Sequence, residues 1–144
     1  MKRRGFRRIH YAFMFVALAL TVGGCAHSEK AYIPAGPVEC DSKIVWEVAP
    51  EAAVTAFKCY LDMYDKKYES VHYAITVKNI SDKPQRYRVN IFMPEERAVG
   101  GLLPRKGKPP VVKPGEETSF TYPVKNYNKI PKKIDVIVRT IAVE

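Results

Sequence analysis

Between Val71 and Val77 every second residue is large and apolar: Val71, Tyr73, Ile75 and Val77 alternate with His72, Ala74, Thr76 and Lys78. Successive side chains of a strand point to opposite faces, whereas a helix returns to one face after three or four residues. This spacing therefore selects a strand with one dry face and one wet one. The pattern recurs in Tyr87, Val89 and Ile91 against Arg86, Arg88 and Asn90, and again in Thr118, Phe120, Tyr122 and Val124. Asn79-Ile80-Ser81-Asp82 and Pro84 separate the first two runs and predict an antiparallel hairpin or a corner. Lys113-Pro114-Gly115-Glu116 is a turn by composition, with proline fixing φ and glycine admitting positive φ. Pro123 has no N–H to give a ladder and marks its strand as an edge.

Two segments read less simply. Pro50-Glu51-Ala52-Ala53 has the look of a helix start, and Val54, Phe57, Leu61 and Tyr64 would line one helical face. Yet Phe57, Cys59, Leu61 and Met63 also alternate, and Asp65-Lys66-Lys67 makes a compact turn into the next run. A strand is preferred there, after a helical turn at most, because it gives the other strands a partner. Near the C-terminus Ile134, Val136 and Val138 turn inward before Ile141 and Val143 take the apolar positions, which predicts a bulge near Thr140. The alternative is a strand buried on both faces. Six or seven short strands with frequent turns predict an all-β, antiparallel sandwich.

The chain opens differently. Lys2, Arg3, Arg4, Arg7 and Arg8 precede an apolar run from Tyr11 to Val22, the shape of a secretory signal peptide. A permanent membrane-crossing helix needs about 20 apolar residues, more than this run supplies. Val22-Gly23-Gly24-Cys25 resembles the lipobox of bacterial lipoproteins. That resemblance implies that a peptidase removes residues 1–24, that Cys25 receives a diacylglyceryl thioether, and that its new amine is usually acylated too. Two or three chains anchor stably where one is marginal. The alternatives are an ordinary signal peptide with an incidental cysteine and a retained signal anchor. Ala26 stands where an aspartate would favour inner-membrane retention in such lipoproteins, which implies an outer-membrane anchor facing the periplasm. Arg3-Arg4-Gly5-Phe6-Arg7-Arg8 also resembles a twin-arginine export motif, with general secretion the preferred alternative. Residues 25–42 contain Pro34, Gly36 and Pro37 and no apolar period, and read as a lipidated tether; residues 43–144 read as the sandwich domain.

Of the 24 Lys and Arg, five lie in that leader; the remaining 19 face 15 Asp and Glu, a net of about +4. So mild an excess bears on solubility and surface attraction rather than on nucleic-acid binding. With Cys25 assigned to lipid, Cys40 and Cys59 form an even pair that an oxidising compartment allows to join. The loop of about 20 residues corresponds to about 3 kcal/mol in the chain-entropy model. Two unpaired buried thiols are the alternative. A metal or redox pair is disfavoured, because C-x-x-C spacing is absent and His72 is the domain's only histidine.

Val77-Lys78-Asn79-Ile80-Ser81-Asp82-Lys83-Pro84, then Tyr87-Arg88-Val89, then Val112-Lys113-Pro114-Gly115-Glu116-Glu117 and Phe120, are similar to the turn chemistry of bacterial Ig-like lipoprotein domains, FxLYD-type domains among them. The F-x-L-Y-D signature itself is absent. The resemblance covers about residues 54–142 and implies an Ig-like sandwich, with little bearing on activity.

No nucleophile elbow, phosphate loop or H-E-x-x-H motif is present, and His72 on a polar strand face needs no catalytic role. The sequence thus predicts no enzyme, no cofactor and no metal site. Asp62, Asp65 and Glu69, and the pair Glu95-Glu96, read as solvated turn charges. The loop from Val99 to Lys113 combines the aliphatic pair Leu102 and Leu103 with Arg105, Lys106 and Lys108. With Lys129, Lys132 and Lys133 it would form a basic rim for an anionic envelope component or a protein partner, or it is a long connection kept soluble by lysine and stiffened by proline. Tyr60, Tyr64, Tyr68, Tyr122 and Tyr127 would line a ligand surface or serve as core edges. Two functions follow: an accessory lipoprotein that docks an envelope protein, and, as the alternative, a lipoprotein that captures a small molecule or glycan.

Overall fold

Each alternating run becomes a strand. The structure is a computed structural model that describes residues 31–96, 98–103, 107–141 and 143. In chain order the strands are β1 (Val38–Glu39), β2 (Lys43–Val48), β3 (Ala52–Tyr64), β4 (Tyr68–Asn79), β5 (Arg86–Met93), β6 (Ala98–Leu103), β7 (Glu117–Pro123) and β8 (Lys133–Ile141), with one 3-10 turn at Pro94–Glu96. One sheet has the order β1-β3-β4-β7 and the other β2-β8-β5-β6. Their packed faces make a β-sandwich, antiparallel except at β1 and β2, which run parallel to β3 and β8. The described residues thus hold eight strands against the six or seven expected, since the two-residue β1 carries no period to read.

The segment with two readings is a strand. β3 pairs with β4 along its whole length, from Ala52 opposite Asn79 to Tyr64 opposite Tyr68, with a register shift between Val54 and Ala56. That shift reconciles the patterns: Val54 and Phe57, three apart, both face the core because the bulge resets the alternation. The bulge expected near Thr140 does not form, for β8 stays in register with β5 through Arg86 opposite Ile141. Ile137 and Ile141 are instead half-buried on the outer face, so β8 carries apolar residues on both sides.

The core lies between the sheets. Val71, Tyr73, Ile75 and Val77 from β4 meet Tyr87, Val89, Ile91 and Met93 from β5 and Ile134, Val136 and Val138 from β8, none more than 1% exposed. Each such side chain contributes roughly 1.5–3 kcal/mol of transfer free energy. An aromatic line crosses this core, with ring centres 6.1 Å apart from Tyr32 to Trp46, 5.3 Å from Trp46 to Phe57 and 6.2 Å from Phe57 to Tyr73.

Two poles follow from the register. At one, β3 and β4 are joined through Asp65 and Lys66, both at positive φ, a conformation Asp tolerates better than Lys. At the other, β4 crosses to β5 in the opposite sheet, so the Asn79–Pro84 segment is a corner and not a hairpin. Buried Asn79 holds it: Nδ2 donates to Lys83 O (2.7 Å) and Val112 O (2.9 Å), and Oδ1 accepts from Ser81 N and Oγ (2.9 and 2.8 Å). Gly115, at φ +80, completes the turn that returns the chain here, its N–H donating to Asn79 O.

Candidate functional site

The stretch expected to be a tether is bound to the sandwich from Tyr32 onward. Val54 N donates to Tyr32 Oη at 2.7 Å, Ala35 N donates to Val54 O, and Phe57 N donates to Pro37 O, so residues 32–37 satisfy backbone groups along the edge of β3. Gly36 permits the approach, because a Cβ there would sit 1.8 Å from Thr55 O. β1 then adds beside Phe57 and Lys58, and a disulfide joins Cys40 to Cys59 with Cα atoms 4.9 Å apart. Sequence alone missed this docking because, apart from the Tyr32 hydroxyl, its donors and acceptors are backbone groups, which leave no hydrophobic period.

β2 is an edge of its sheet. Lys43 N donates to Lys132 O and Ala49 N to Val138 O, so odd-numbered residues of this segment turn their backbone groups toward β8. Ile44, Trp46 and Val48 therefore turn theirs outward, away from β8. Along that side runs an open groove of about 640 Å³ lined by Ala31, Tyr32 and residues 44–48. Ile44, Trp46 and Val48 are only partly buried, and Val45 is 44% exposed.

Among the described residues the cations of the expected rim lie apart. Leu102 and Leu103 lie in β6, opposite Asn90 and Val89, while Arg105 and Lys106 fall outside the described residues. Lys108 is exposed near the corner pole, where Arg86 bonds to Pro109 O and Gln85 bridges Val112. Lys132 and Lys133 sit at the opposite pole, beside Lys43 and beyond the Asp135–Phe92 pair. Roughly 25 Å of strand separates the two groups at about 3.3 Å per residue. A loop's composition reports solvent exposure but not which end of a sheet it caps. Lys133 is also engaged locally, 3.5 Å from Asp135. Cys25 falls outside the described residues.

The tyrosines divide between two environments. Tyr60, Tyr64 and Tyr68 share the outer face of the β3–β4 hairpin with His72, whereas Tyr122 and Tyr127 pack against the core. Tyr64 stacks on Tyr68 and Tyr60 on His72, with ring centres 5.5 and 5.4 Å apart. Lys125 lies over Tyr64 and Lys58 over Tyr60. Tyr60 and Tyr64 are thus each engaged by a neighbouring ring and a lysine, and both stay partly exposed.

His72 Nε2 lies 3.1 Å from Ser70 Oγ, a contact that would suit nucleophile activation if substrate could arrive. Ser70 is fully buried, and the Asp62 carboxylate across the hairpin accepts from Met63 N. Among the described residues no group of three His, Cys, Asp or Glu is arranged to hold a metal ion. Two tyrosine hydroxyls are strongly perturbed. Burial, with Tyr127 adding, raises Tyr73 far above its usual value. Burial and the nearby Glu51 carboxylate push Tyr87 up to about 12, its hydroxyl donating to Glu51 O at 2.8 Å. Both belong to the buried core.

No protein-family model, curated protein or solved structure matches the chain.

Proposed function

We propose that this chain is a non-catalytic envelope lipoprotein, anchored through acylated Cys25, whose sandwich docks a partner protein by accepting an extended segment along β2. The observation that carries this reading is the outward N–H and C=O of Ile44, Trp46 and Val48 beside an open groove. Strand addition draws affinity from such backbone groups and specificity from pockets between alternate side chains. The leader and the lipobox-like Val22-Gly23-Gly24-Cys25 supply the anchor and the compartment. The linkage of Cys40 to Cys59 suits an oxidising space such as the periplasm. Capture of a glycan on the hairpin draws less support, because Tyr60 and Tyr64 are already engaged by neighbouring rings and lysines.

Cross-linking in the native envelope, followed by mass spectrometry, tests the proposal. The expected cross-links map to residues 43–48, and Val48→Pro removes them while leaving the protein folded, since its missing N–H is one that points away from β8. Cross-links that persist in folded Val48→Pro, or that map only to the hairpin face, contradict it.

A further inference from the structure

The corner pole leaves a particular set of side chains exposed. The chain enters the fold there: Tyr32 and Ala35 both bond to Val54, which lies opposite Val77, two residues short of Asn79. At this end Ile33 is 83% exposed, Ile80 56% and Val111 42%. One such residue is ordinary on a protein surface, but three at one pole form a feature to explain. Cations flank them. Lys83 is exposed in the corner itself, and on the outer face nearby Arg88 lies directly opposite Arg139, both exposed. Like charges facing each other across neighbouring strands destabilise a sheet. Among the described residues Glu47, 3.5 Å from Arg139, is the carboxylate that offsets this pair.

We propose that this pole seats on an anionic phospholipid bilayer. Lys83, Arg88 and Arg139 meet headgroup phosphates, and Ile33, Ile80 and Val111 enter the interfacial layer. The placement rests on the lipid-anchor reading: residues 26–31 span at most about 20 Å however they run, so an acylated Cys25 holds this pole at the membrane. A basic patch then adds a second signal to the acyl chains. The β3–β4 hairpin points away from the bilayer, and the β2 edge stays open along the flank.

The test is hydrogen exchange of the acylated protein, purified from membranes and reconstituted into vesicles of phosphatidylcholine alone or with phosphatidylglycerol. Phosphatidylglycerol is expected to slow exchange at residues 80–88 and 111–116 and to leave the hairpin at 60–69 unchanged. Each cation near an anionic surface shifts the seated population about fivefold. Arg88→Ala with Arg139→Ala therefore weakens seating about 25-fold, without altering acylation or Trp46 emission. Exchange at the corner pole that is identical on the two lipids, protection at the hairpin instead, or protection that survives the double variant overturns the proposal. Protection seen in native membranes but not on phosphatidylglycerol assigns the patch to a protein and also overturns it. Failure of the anchor reading looks different, as a protein without acyl mass on Cys25.

Discussion

Replacing Asn79 with alanine removes the group that fastens β4, the corner and the segment before β7 to one another. Four side-chain hydrogen bonds are lost, to Lys83 O, Val112 O, Ser81 N and Ser81 Oγ. At about 1 kcal/mol net for each, the loss approaches 4 kcal/mol. The single Ser81 Oγ hydrogen, no longer taken by Asn79 Oδ1, is free to go to Lys83 O, and Val112 O accepts from Gln85 N, so the acceptors are not orphaned and the expected cost settles at about 3 kcal/mol. Asn79→Asp separates the acceptor role of the side chain from its donor role. It keeps the acceptor for Ser81 but turns a carboxylate oxygen toward two carbonyls, so at neutral pH it costs more than alanine. Urea unfolding under non-reducing conditions, followed by the emission of Trp46, measures both; this is the chain's one tryptophan and it packs edge-on against buried Phe57. Loss of less than about 1 kcal/mol in the alanine variant, or an aspartate variant milder than alanine, would refute the assignment of the corner to Asn79.

Stability should fall as pH rises from about 10 toward 12, because Tyr73 and Tyr87 ionise more easily in the unfolded chain than in the fold. Their raised folded values contribute stability that is complete below the unfolded value, and Tyr87→Phe should flatten this alkaline slope while losing about 1 kcal/mol at neutral pH with the Glu51 bond. Replacing Cys40 and Cys59 together with serine should cost about 3 kcal/mol by chemical denaturation, and an unchanged midpoint in non-reduced protein would contradict the linkage. Gly36→Ala should cost about 1–3 kcal/mol by overpacking against Thr55 O, and should speed exchange at the Ala35 and Phe57 amides. Equal exchange in the variant would show that residues 32–37 do not depend on that close approach.

How much was legible in the chain follows from how local each determinant is. The strands around Val71–Val77 and Tyr87–Ile91 were readable because one face is wholly buried and the period of two is unbroken. The turn at Pro114-Gly115 and the edge strand carrying Pro123 were readable because proline and glycine restrict the backbone by themselves. The bulge in β3 was not, since Val54 and Phe57 imitate a helical spacing when one extra residue resets a strand. The pairing of β2 with β8 joins Lys43 to Lys133, and nothing in either segment names so distant a partner. The same limit applies to the surface. Leu102, Leu103 and the lysines were recognisable as exposed types, but only the topology shows that Lys108 and Lys133 lie at opposite poles, and that Arg88 and Arg139 meet.

The intact mass of the protein extracted from membranes without reductant shows directly whether the module is anchored through Cys25. The expected chain begins at Cys25, carries two or three acyl chains, and is lighter by two hydrogens for the bond between Cys40 and Cys59. A chain that retains residues 1–24, or one that begins at Cys25 with no acyl mass, would contradict it.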